Sequence, residues 1–331
     1  MNEIIFTVWK KAVLLGCLTL IATQAFYAQS GWKQLKSESN GDLVAVYFTS
    51  AERGFVAGDN GYLAQTIDGG KSWTKQNIGT TEDINEIYFR NDKNGYVVAG
   101  KKMFATDDGG RSWREIRIYE PRDFRGSTPE FLSVQFADKK IGFIVGSLIK
   151  RVGKEDEVVD SLVMRTDNGG ESWKRIIVPS KLELYHLDFA NSSRGWIVGD
   201  RGLILVTYDG GVNWQIQKSG TTKALYNIDF RDSNDGYAVG SKGTILRTEN
   251  GGEIWEAVKT NFPNTFKRVD FADDKNGWIV GYSGSILRSS DKGKTWVKQE
   301  SSTDEQLYGL FMMKKYGWAV GAKGAIIQYQ K

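Results

Sequence analysis

The sequence is poor in three residue types that often carry chemistry or restrict the backbone. It contains one cysteine, one histidine and four prolines among 331 residues. A lone cysteine (Cys17) excludes an intramolecular disulfide, and a lone histidine (His186) excludes a metal site built from several histidines. The formal net charge is only +4, and nothing suggests the concentrated basic face typical of nucleic-acid binding. No cofactor or metal site is predicted.

The N-terminal segment differs in composition from the rest and is interpreted as a secretory signal peptide, residues 1–28. Two lysines at positions 10 and 11 precede an apolar run over residues 12–22, and small residues follow. This order is typical of a signal peptide, and the run is short for a transmembrane helix. Cleavage after Ala25 or Ala28 leaves residues 30–331 as one exported domain, which is periplasmic, lumenal or extracellular.

A lipid anchor at Cys17 is the alternative interpretation of this segment. Residues 14–17, Leu-Leu-Gly-Cys, loosely match the lipoprotein signal. A lipidated cysteine should end the apolar run and open a polar tether. Here the run continues through Leu18, Leu20 and Ile21, so the cleaved signal peptide is favoured.

What the sequence has in abundance is glycine next to aromatic residues, arranged as a repeat. A Gly-aromatic pair followed by small apolar residues recurs seven times, at spacings of 41, 47, 53, 41, 41 and 40 residues. A near-constant period of this length indicates a repeat architecture. The seven pairs begin at Gly54, Gly95, Gly142, Gly195, Gly236, Gly277 and Gly317.

Each repeat is predicted to form four short antiparallel strands, A to D. Strand A alternates with a period of two, as in Leu43–Phe48, and strand B is the Gly-aromatic segment, as in Gly195–Gly199. Strand C follows, for example at 203–206, and strand D begins at a tryptophan. Four strands every ~40 residues are typical of a β-propeller blade. The fold class is therefore an all-β, seven-bladed propeller.

The turn between strands C and D carries a second motif, Ser/Thr-x-Asp-x-Gly-x-x-Trp, known as the Asp box. Its carboxylate can accept backbone N–H bonds within the turn, and its tryptophan can fill the gap between blades. Asn168 and Asn250 replace the aspartate in two copies; asparagine can accept the same bonds, which indicates a structural role. The six boxes span 66–73, 106–113, 166–173, 207–214, 248–255 and 289–296.

Seven A–B–C units but only six boxes leave one strand D missing. Trp32 lies one repeat before Trp73, and the residues that follow each tryptophan are similar. The N-terminal strand is therefore predicted to complete the last blade beside the C-terminal strand, which closes the ring.

The repeat resembles that of the Asp-box (BNR repeat) propellers, and most closely the photosystem II assembly and stability factor family of cyanobacteria and plastids. The resemblance covers residues 32–331. It implies an exported assembly factor that binds a protein partner, a subunit of a membrane complex if the source is photosynthetic. If the source has no photosystem II, only the general binding role carries over.

Enzymatic alternatives are weighed because some Asp-box proteins cleave glycans. No Arg-Ile-Pro motif of sialidases occurs, and no motif indicates a nucleophile, a phosphate loop or a paired-carboxylate site. The expectation is a non-catalytic, monomeric scaffold for a protein partner. A secreted protein that binds or cleaves glycans is the main alternative, and a structural envelope protein is a further one.

The repeat is interrupted twice around the third blade. One insertion includes residues 119–129 before strand A, and the other spans 147–161 between strands B and C. Both connections emerge on the same face of an antiparallel blade, opposite the Asp boxes. The alternative is a pair of tolerated, mobile surface loops. As partner contacts we predict Arg122, Phe124, Arg125, Lys150 and Arg151, because arginine and aromatic residues are favoured at interfaces.

The third position of strand A varies strongly between blades, whereas the fourth is apolar in each. Strand A should be innermost, so its variable residues are predicted to surround the channel mouth, as a polar site for a peptide or small ligand or simply as solvated lining. These residues are Glu86, His186, Asn227 and Arg268. The recurrent acids at the fifth position are interpreted as structural: Asp188, Asp229 and Asp270.

Overall fold

The computed structural model describes residues 31–331, so the predicted signal peptide and Cys17 lie outside the described range. The described chain forms seven four-stranded antiparallel sheets. Its helical content is four short 3-10 turns, at Asp59–Gly61, Pro121–Phe124, Asp200–Gly202 and Ala322–Gly324. None of the helices between residues 31 and 331 is long and apolar enough to span a bilayer.

The first four blades each follow the order A to D from the centre outwards. Blade one contains β2 Leu43–Phe48, β3 Gly54–Gly58, β4 Tyr62–Thr66 and β5 Thr74–Gln76. Blade two contains β6 Ile84–Phe89, β7 Gly95–Ala99, β8 Lys102–Thr106 and β9 Arg114–Ile116. Blade three contains β10 Thr128–Phe136, β11 Gly142–Val152, β12 Glu155–Thr166 and β13 Lys174–Ile176. Blade four contains β14 Leu184–Phe189, β15 Gly195–Gly199, β16 Ile204–Thr207 and β17 Gln215–Gln217.

The remaining three blades repeat this pattern, with one exception in the last. Blade five contains β18 Leu225–Phe230, β19 Gly236–Gly240, β20 Ile245–Thr248 and β21 Glu256–Ala257. Blade six contains β22 Phe266–Phe271, β23 Gly277–Gly281, β24 Ile286–Ser289 and β25 Val297–Gln299. Blade seven contains β26 Leu307–Met312, β27 Tyr316–Gly321, β28 Ile326–Gln330 and, as its outer strand, β1 Trp32–Gln34.

The seven-bladed fold predicted from the repeat is confirmed, with small shifts at strand ends. Strand A of blade one and strand B of blade four begin and end at the residues predicted from the sequence. Strand C of blade four begins one residue later than predicted, at Ile204. Strand D of blade one begins at Thr74, after the box tryptophan rather than at it. The Trp73 ring instead packs beside Gly70 of the turn and edge-on against Phe48.

The predicted ring closure is confirmed by the pairing of β1 with β28. Trp32 lies opposite Tyr329 in an antiparallel register, and their ring centroids are 5.5 Å apart. The Trp32 indole N–H also donates to the Gln299 side chain in blade six, at 3.2 Å. The outer strand therefore ties blade seven to its neighbour as well as completing its sheet.

Neighbouring blades are held together by aromatic stacks at the end of strand A. Phe48 in blade one stacks on Trp318 of blade seven, with centroids 3.5 Å apart. The box tryptophan of the same blade, Trp73, meets the Phe48 ring edge-on. Edge-on contacts of this kind recur in the next five blades. Because buried aromatic side chains contribute strongly to packing energy, this triplet stabilises the contacts between blades.

The glycine that ends strand B is required by close approach of the neighbouring chain. A Cβ atom on Gly58 would lie 1.9 Å from the carbonyl oxygen of Asp42, just before strand A. Any larger residue would push strands A and B apart. Five further blades have the same close contact, at Gly146, Gly199, Gly240, Gly281 and Gly321.

The Asp boxes form hydrogen-bonded turns, as the sequence predicts. Asp68 accepts the Ser72 N–H at 2.9 Å and the Ser72 hydroxyl at 2.6 Å. These bonds hold the Asp68 pKa at about 2, well below its ordinary value. Asn168 accepts the Ser172 N–H at 3.0 Å through its own side-chain oxygen. The asparagine boxes therefore keep the turn geometry without a charge.

Candidate functional site

The two blade-three insertions lie together on one face of the ring. The β10 strand is extended at its start, and Thr128 pairs with Ile149 of the extended β11. The predicted common face is thereby confirmed. The second insertion is not an irregular loop, because β11 and β12 continue as a paired ribbon to Val152 and Glu155. We call residues 120–128 together with 148–160 the lip.

The lip exposes four of the five partner contacts predicted from the sequence. Arg122, Arg125, Lys150 and Arg151 are all exposed. Arg151 forms an ion pair with Asp156 across the ribbon, at 3.1 Å. Within residues 31–331 the other three form no ion pair. They are therefore available to negative or polar groups outside the chain.

Phe124, the fifth predicted contact, is buried rather than exposed on the lip. Only 3% of its surface is exposed, and it packs in the blade-three core with Phe131, Leu148 and Leu162. Its ring lies 5.0 Å from that of Tyr119. Phe124 therefore anchors the first insertion to the blade, and direct contact with a partner does not fit its burial.

Beside the lip, the channel opens through a ring of residues that the sequence analysis did not select. Each strand A carries a β-bulge at the residue just before the third position defined above, as between Leu43 and Ala45 in blade one. A bulge redirects a side chain, so second-position residues reach the mouth. The resulting well has a volume of about 290 Å³. Its walls include Asn85, Leu132, Tyr185, Tyr226, Lys267 and Tyr308.

The predicted third-position residues lie one layer deeper and form a plug. Arg268 donates to the Glu86 carboxylate at 2.9 Å, joining blades six and two across the channel. His186 Nε2 lies 3.8 Å from the same carboxylate oxygen. Burial, reinforced by the positive charge of Arg268, lowers the His186 pKa well below its ordinary value. His186 is therefore neutral, and the plug consists of one balanced ion pair beside an uncharged imidazole.

Asn227, the remaining predicted mouth residue, has a structural contact. Its side-chain oxygen accepts the backbone N–H of Val269 in the next blade, at 2.9 Å, and only 2% of its surface is exposed. Of the four third-position residues, Arg268 alone also contacts the mouth well. The ring at the mouth therefore differs from the one predicted.

Below an apolar fourth-position layer, buried carboxyl groups join neighbouring blades. Asp188 accepts the Phe230 N–H, and Asp270 accepts the Met312 N–H, each at 2.6 Å. The predicted structural role of both is confirmed. Burial raises the pKa of Asp270 to about 7 and raises those of Asp188 and Asp229 as well. Asp188 and Asp270 thus bind the backbone of another blade, whereas one carboxylate oxygen of Asp229 has no hydrogen-bond partner. Within residues 31–331 no cluster of metal-ligating side chains occurs.

The sequence of this chain matches the model of a known protein family. The family model described as "Photosynthesis system II assembly factor YCF48" matches residues 24–121, 75–184, 167–221, 212–298 and 263–330. These overlapping matches cover nearly the whole described chain.

Two curated relatives are similar over part of their length, and both are named photosystem II assembly lipoprotein Ycf48. The protein from Synechococcus sp. (strain CC9902) is 25% identical over 194 residues, 57% of this chain and 52% of the relative. The protein from Prochlorococcus marinus (strain MIT 9313) is 33% identical over 82 residues, 25% of this chain and 24% of the relative. The chain thus spans about half the length of the first relative and a quarter of the second.

Solved structures show the same fold at low sequence identity. A structure titled "YCF48 bound to D1 peptide" has a TM-score of 0.74 at 19% identity, covering 91% of this chain and 97% of that one. YCF48 from Cyanidioschyzon merolae gives 0.72 at 20%, covering 90% and 98%. A GH74 xyloglucanase from Xanthomonas campestris gives 0.68 at 11%, covering 90% and 53%. Likeness at this identity concerns the fold alone.

Proposed function

Because the chain belongs to the YCF48 family of photosystem II assembly factors, we propose that it is an exported, non-catalytic scaffold that binds a segment of a protein partner on its lip face. The partner contacts are Arg122, Arg125, Lys150 and Arg151 on the lip, together with the adjoining channel mouth. In a photosynthetic source the partner is a photosystem II subunit.

The observation that carries this proposal is the shared position of the lip and the channel mouth. Leu132 lines the mouth and Thr128 lies in the lip, on the same strand β10. Four residues of strand span about 13 Å, so one extended segment can contact both. The related structure titled as bound to a D1 peptide supports a peptide segment as the kind of partner.

A scaffold role is favoured over catalysis by how the polar groups of the channel are used. Glu86 is paired with Arg268, and Asp188 and Asp270 accept backbone N–H groups. These three acids thus have structural partners, whereas a general acid or base needs access to a substrate proton. The two GH74 neighbours share the fold at 11% identity, which gives no support to an activity.

The proposal is tested by affinity purification from the native host with a fourfold alanine variant of the lip: Arg122→Ala, Arg125→Ala, Lys150→Ala and Arg151→Ala. We expect this variant to lose partners that the wild type captures. The matched control removes four exposed lysines from the Asp-box face: Lys71→Ala, Lys275→Ala, Lys294→Ala and Lys314→Ala. Equal capture by both variants and the wild type would falsify the lip assignment.

We also propose that the protein is exported, and the names of the relatives bear on whether it carries a lipid anchor. Both curated relatives are named lipoproteins, which supports lipid attachment at Cys17 against the cleaved signal peptide favoured from the sequence. Expression of wild type and Cys17→Ala with a labelled fatty acid separates the two. Label on the wild type alone indicates the anchor, whereas unlabelled wild type cleaved after Ala25 or Ala28 indicates the signal peptide.

A further inference from the structure

Lys267 is a partly buried cation with no acidic partner. Its Nζ lies 3.9 Å from the centroid of the Tyr226 ring, at the channel mouth. No ion pair between residues 31 and 331 includes it. Burial, with the nearby positive charge of Arg268, lowers the Lys267 pKa to about 8. Removing an ammonium from water without an anionic partner costs free energy, and an incoming anion would recover part of it.

The other charged residues that line the well are Arg268, Asp42 and Asp59. Arg268 is held by Glu86. Asp42 accepts the Lys323 N–H at 3.0 Å, and Asp59 accepts the Asp42 N–H at 2.9 Å. Glu183, in blade four, raises the Lys267 pKa, but burial and the charge of Arg268 outweigh it. Neither Asp42 nor Asp59 forms an ion pair within residues 31–331, so both keep a negative charge, but neither lies within ion-pair distance of Lys267. Lys267 is therefore without a close counter-charge.

The walls of the well restrict what can occupy it. Tyr185, Tyr226 and Tyr308 give it aromatic sides, and Tyr185 and Tyr226 lie 5.1 Å apart. Below it, the Glu86–Arg268 pair crosses the channel, so the well is a blind depression at this point. A volume of about 290 Å³ suits a side chain or two rather than a folded element.

We propose that the mouth well binds the carboxylate of an aspartate or glutamate side chain in an extended, acidic partner peptide, with Lys267 as its counter-ion and the tyrosines packed on its methylene stem. A single uncompensated ammonium matches a single negative charge, which favours a carboxylate over a dianionic phosphate. This inference rests on the proposed function and specifies the chemistry of the partner.

A random peptide library panned against the wild-type protein tests the proposal. We expect the selected peptides to be enriched in aspartate or glutamate. Their Kd should weaken at least about tenfold on Lys267→Met and on replacing the acidic residue of the peptide by its amide. The matched control is Lys223→Met, which removes an exposed lysine in the turn before strand A of blade five.

A second measurement distinguishes binding from a folding effect. In the protein with 13C-dimethylated lysines, the NMR-detected pKa of Lys267 should rise when a selected peptide binds, because the carboxylate stabilises the ammonium. Lys267→Arg, which keeps the charge, should retain more affinity than Lys267→Met.

The possible outcomes separate this inference from the proposed function. Selected peptides that bind Lys267→Met as tightly as the wild type, or that lack acidic residues, overturn the well assignment. If those peptides still lose affinity for the fourfold lip variant, the lip proposal stands while the well proposal fails. If the library yields no peptide for the wild type, both proposals are contradicted.

Discussion

Arg268 and Glu86 are 182 residues apart in the sequence and form a 2.9 Å hydrogen-bonded ion pair across the channel. The two side chains are 15% and 14% exposed, so the pair is largely removed from water. Since they belong to blades six and two, their contact joins parts of the ring that share no blade interface.

Removing one member of this pair should leave a buried charge without compensation. We expect Glu86→Gln and Arg268→Met each to lower the free energy of unfolding by roughly 3 kcal/mol. The double variant should lose less than the sum of the single variants, because it leaves no unpaired charge. Urea unfolding at neutral pH measures all three.

The control for this prediction is the exposed pair on the lip, Arg151 and Asp156, whose side chains are 62% and 56% exposed. Arg151→Met should change the free energy of unfolding by less than about 1 kcal/mol. A loss at Arg268→Met no larger than this would mean that the cross-channel pair is as well solvated as a surface pair.

The buried carboxyl groups predict an unusual pH dependence of stability. The Asp270 pKa is raised by burial from its ordinary value of 3.8 to about 7, so the folded state favours the protonated form. Its contribution to stability is therefore fully present below about pH 4 and is lost as the pH rises towards 7. The slope is about −1.4 kcal/mol per pH unit for one such group.

Asp270→Asn should flatten this dependence, since the amide oxygen can still accept the Met312 N–H. We expect the variant to equal the wild type near pH 4 and to exceed its stability above pH 7. Urea unfolding across this range measures the difference. Parallel pH profiles for the two proteins would show that Asp270 titrates normally in the folded state.

The second Asp box has two neighbouring aspartates, Asp107 and Asp108, and comparing them tests the role of the box carboxylate. Asp108 accepts the N–H groups of Arg111 and Ser112 at 2.9 and 3.0 Å, whereas its neighbour Asp107 is exposed. Asp108→Ala should cost about 1–2 kcal/mol and Asp107→Ala almost nothing. Asp108→Asn should be tolerated, because asparagine occupies this place in two other boxes. Equal losses at positions 107 and 108 would contradict the hydrogen-bonding role.

The outer strand of blade seven predicts a strong dependence on Trp32. This ring is 2% exposed and packs on Tyr329, whereas the next residue, Lys33, is exposed. Trp32→Ala should lower the free energy of unfolding by about 3–5 kcal/mol, and Lys33→Ala should leave it within about 0.5 kcal/mol. Thermal unfolding of both variants is the measurement. Similar midpoints would mean that β1 contributes little to ring closure.

Much of the architecture follows from the sequence because the repeat is regular. A Gly-aromatic segment every 40 or so residues indicates the number of blades, and the extra tryptophan at position 32 indicates how the ring closes. The common face of the two insertions also follows, since chain direction alone determines where the connections at 119–129 and 147–161 emerge.

The composition of the channel mouth could not be predicted from alternation. A strict period of two places Lys267 and Arg268 on opposite faces of strand A, but the bulge in this strand turns both towards the axis. The sequence indicates this bulge only indirectly, through the glycine that ends strand B. In blade six this residue is Gly281, and a Cβ atom on it would lie 2.1 Å from the carbonyl oxygen of Thr265, just before strand A. The burial of Phe124 depends on packing against Leu148, which spacing alone does not reveal.

The pairing of β1 with β28 has a consequence for how the protein folds during synthesis. Every other strand pairs with a strand of its own repeat, soon after both have been made. Among the described strands, β1 is made before all the others and its partner β28 after them. Closure is therefore the most non-local step of folding, and such contacts form slowly. The open outer edge of β28 stays exposed to other chains until Trp32 pairs with it.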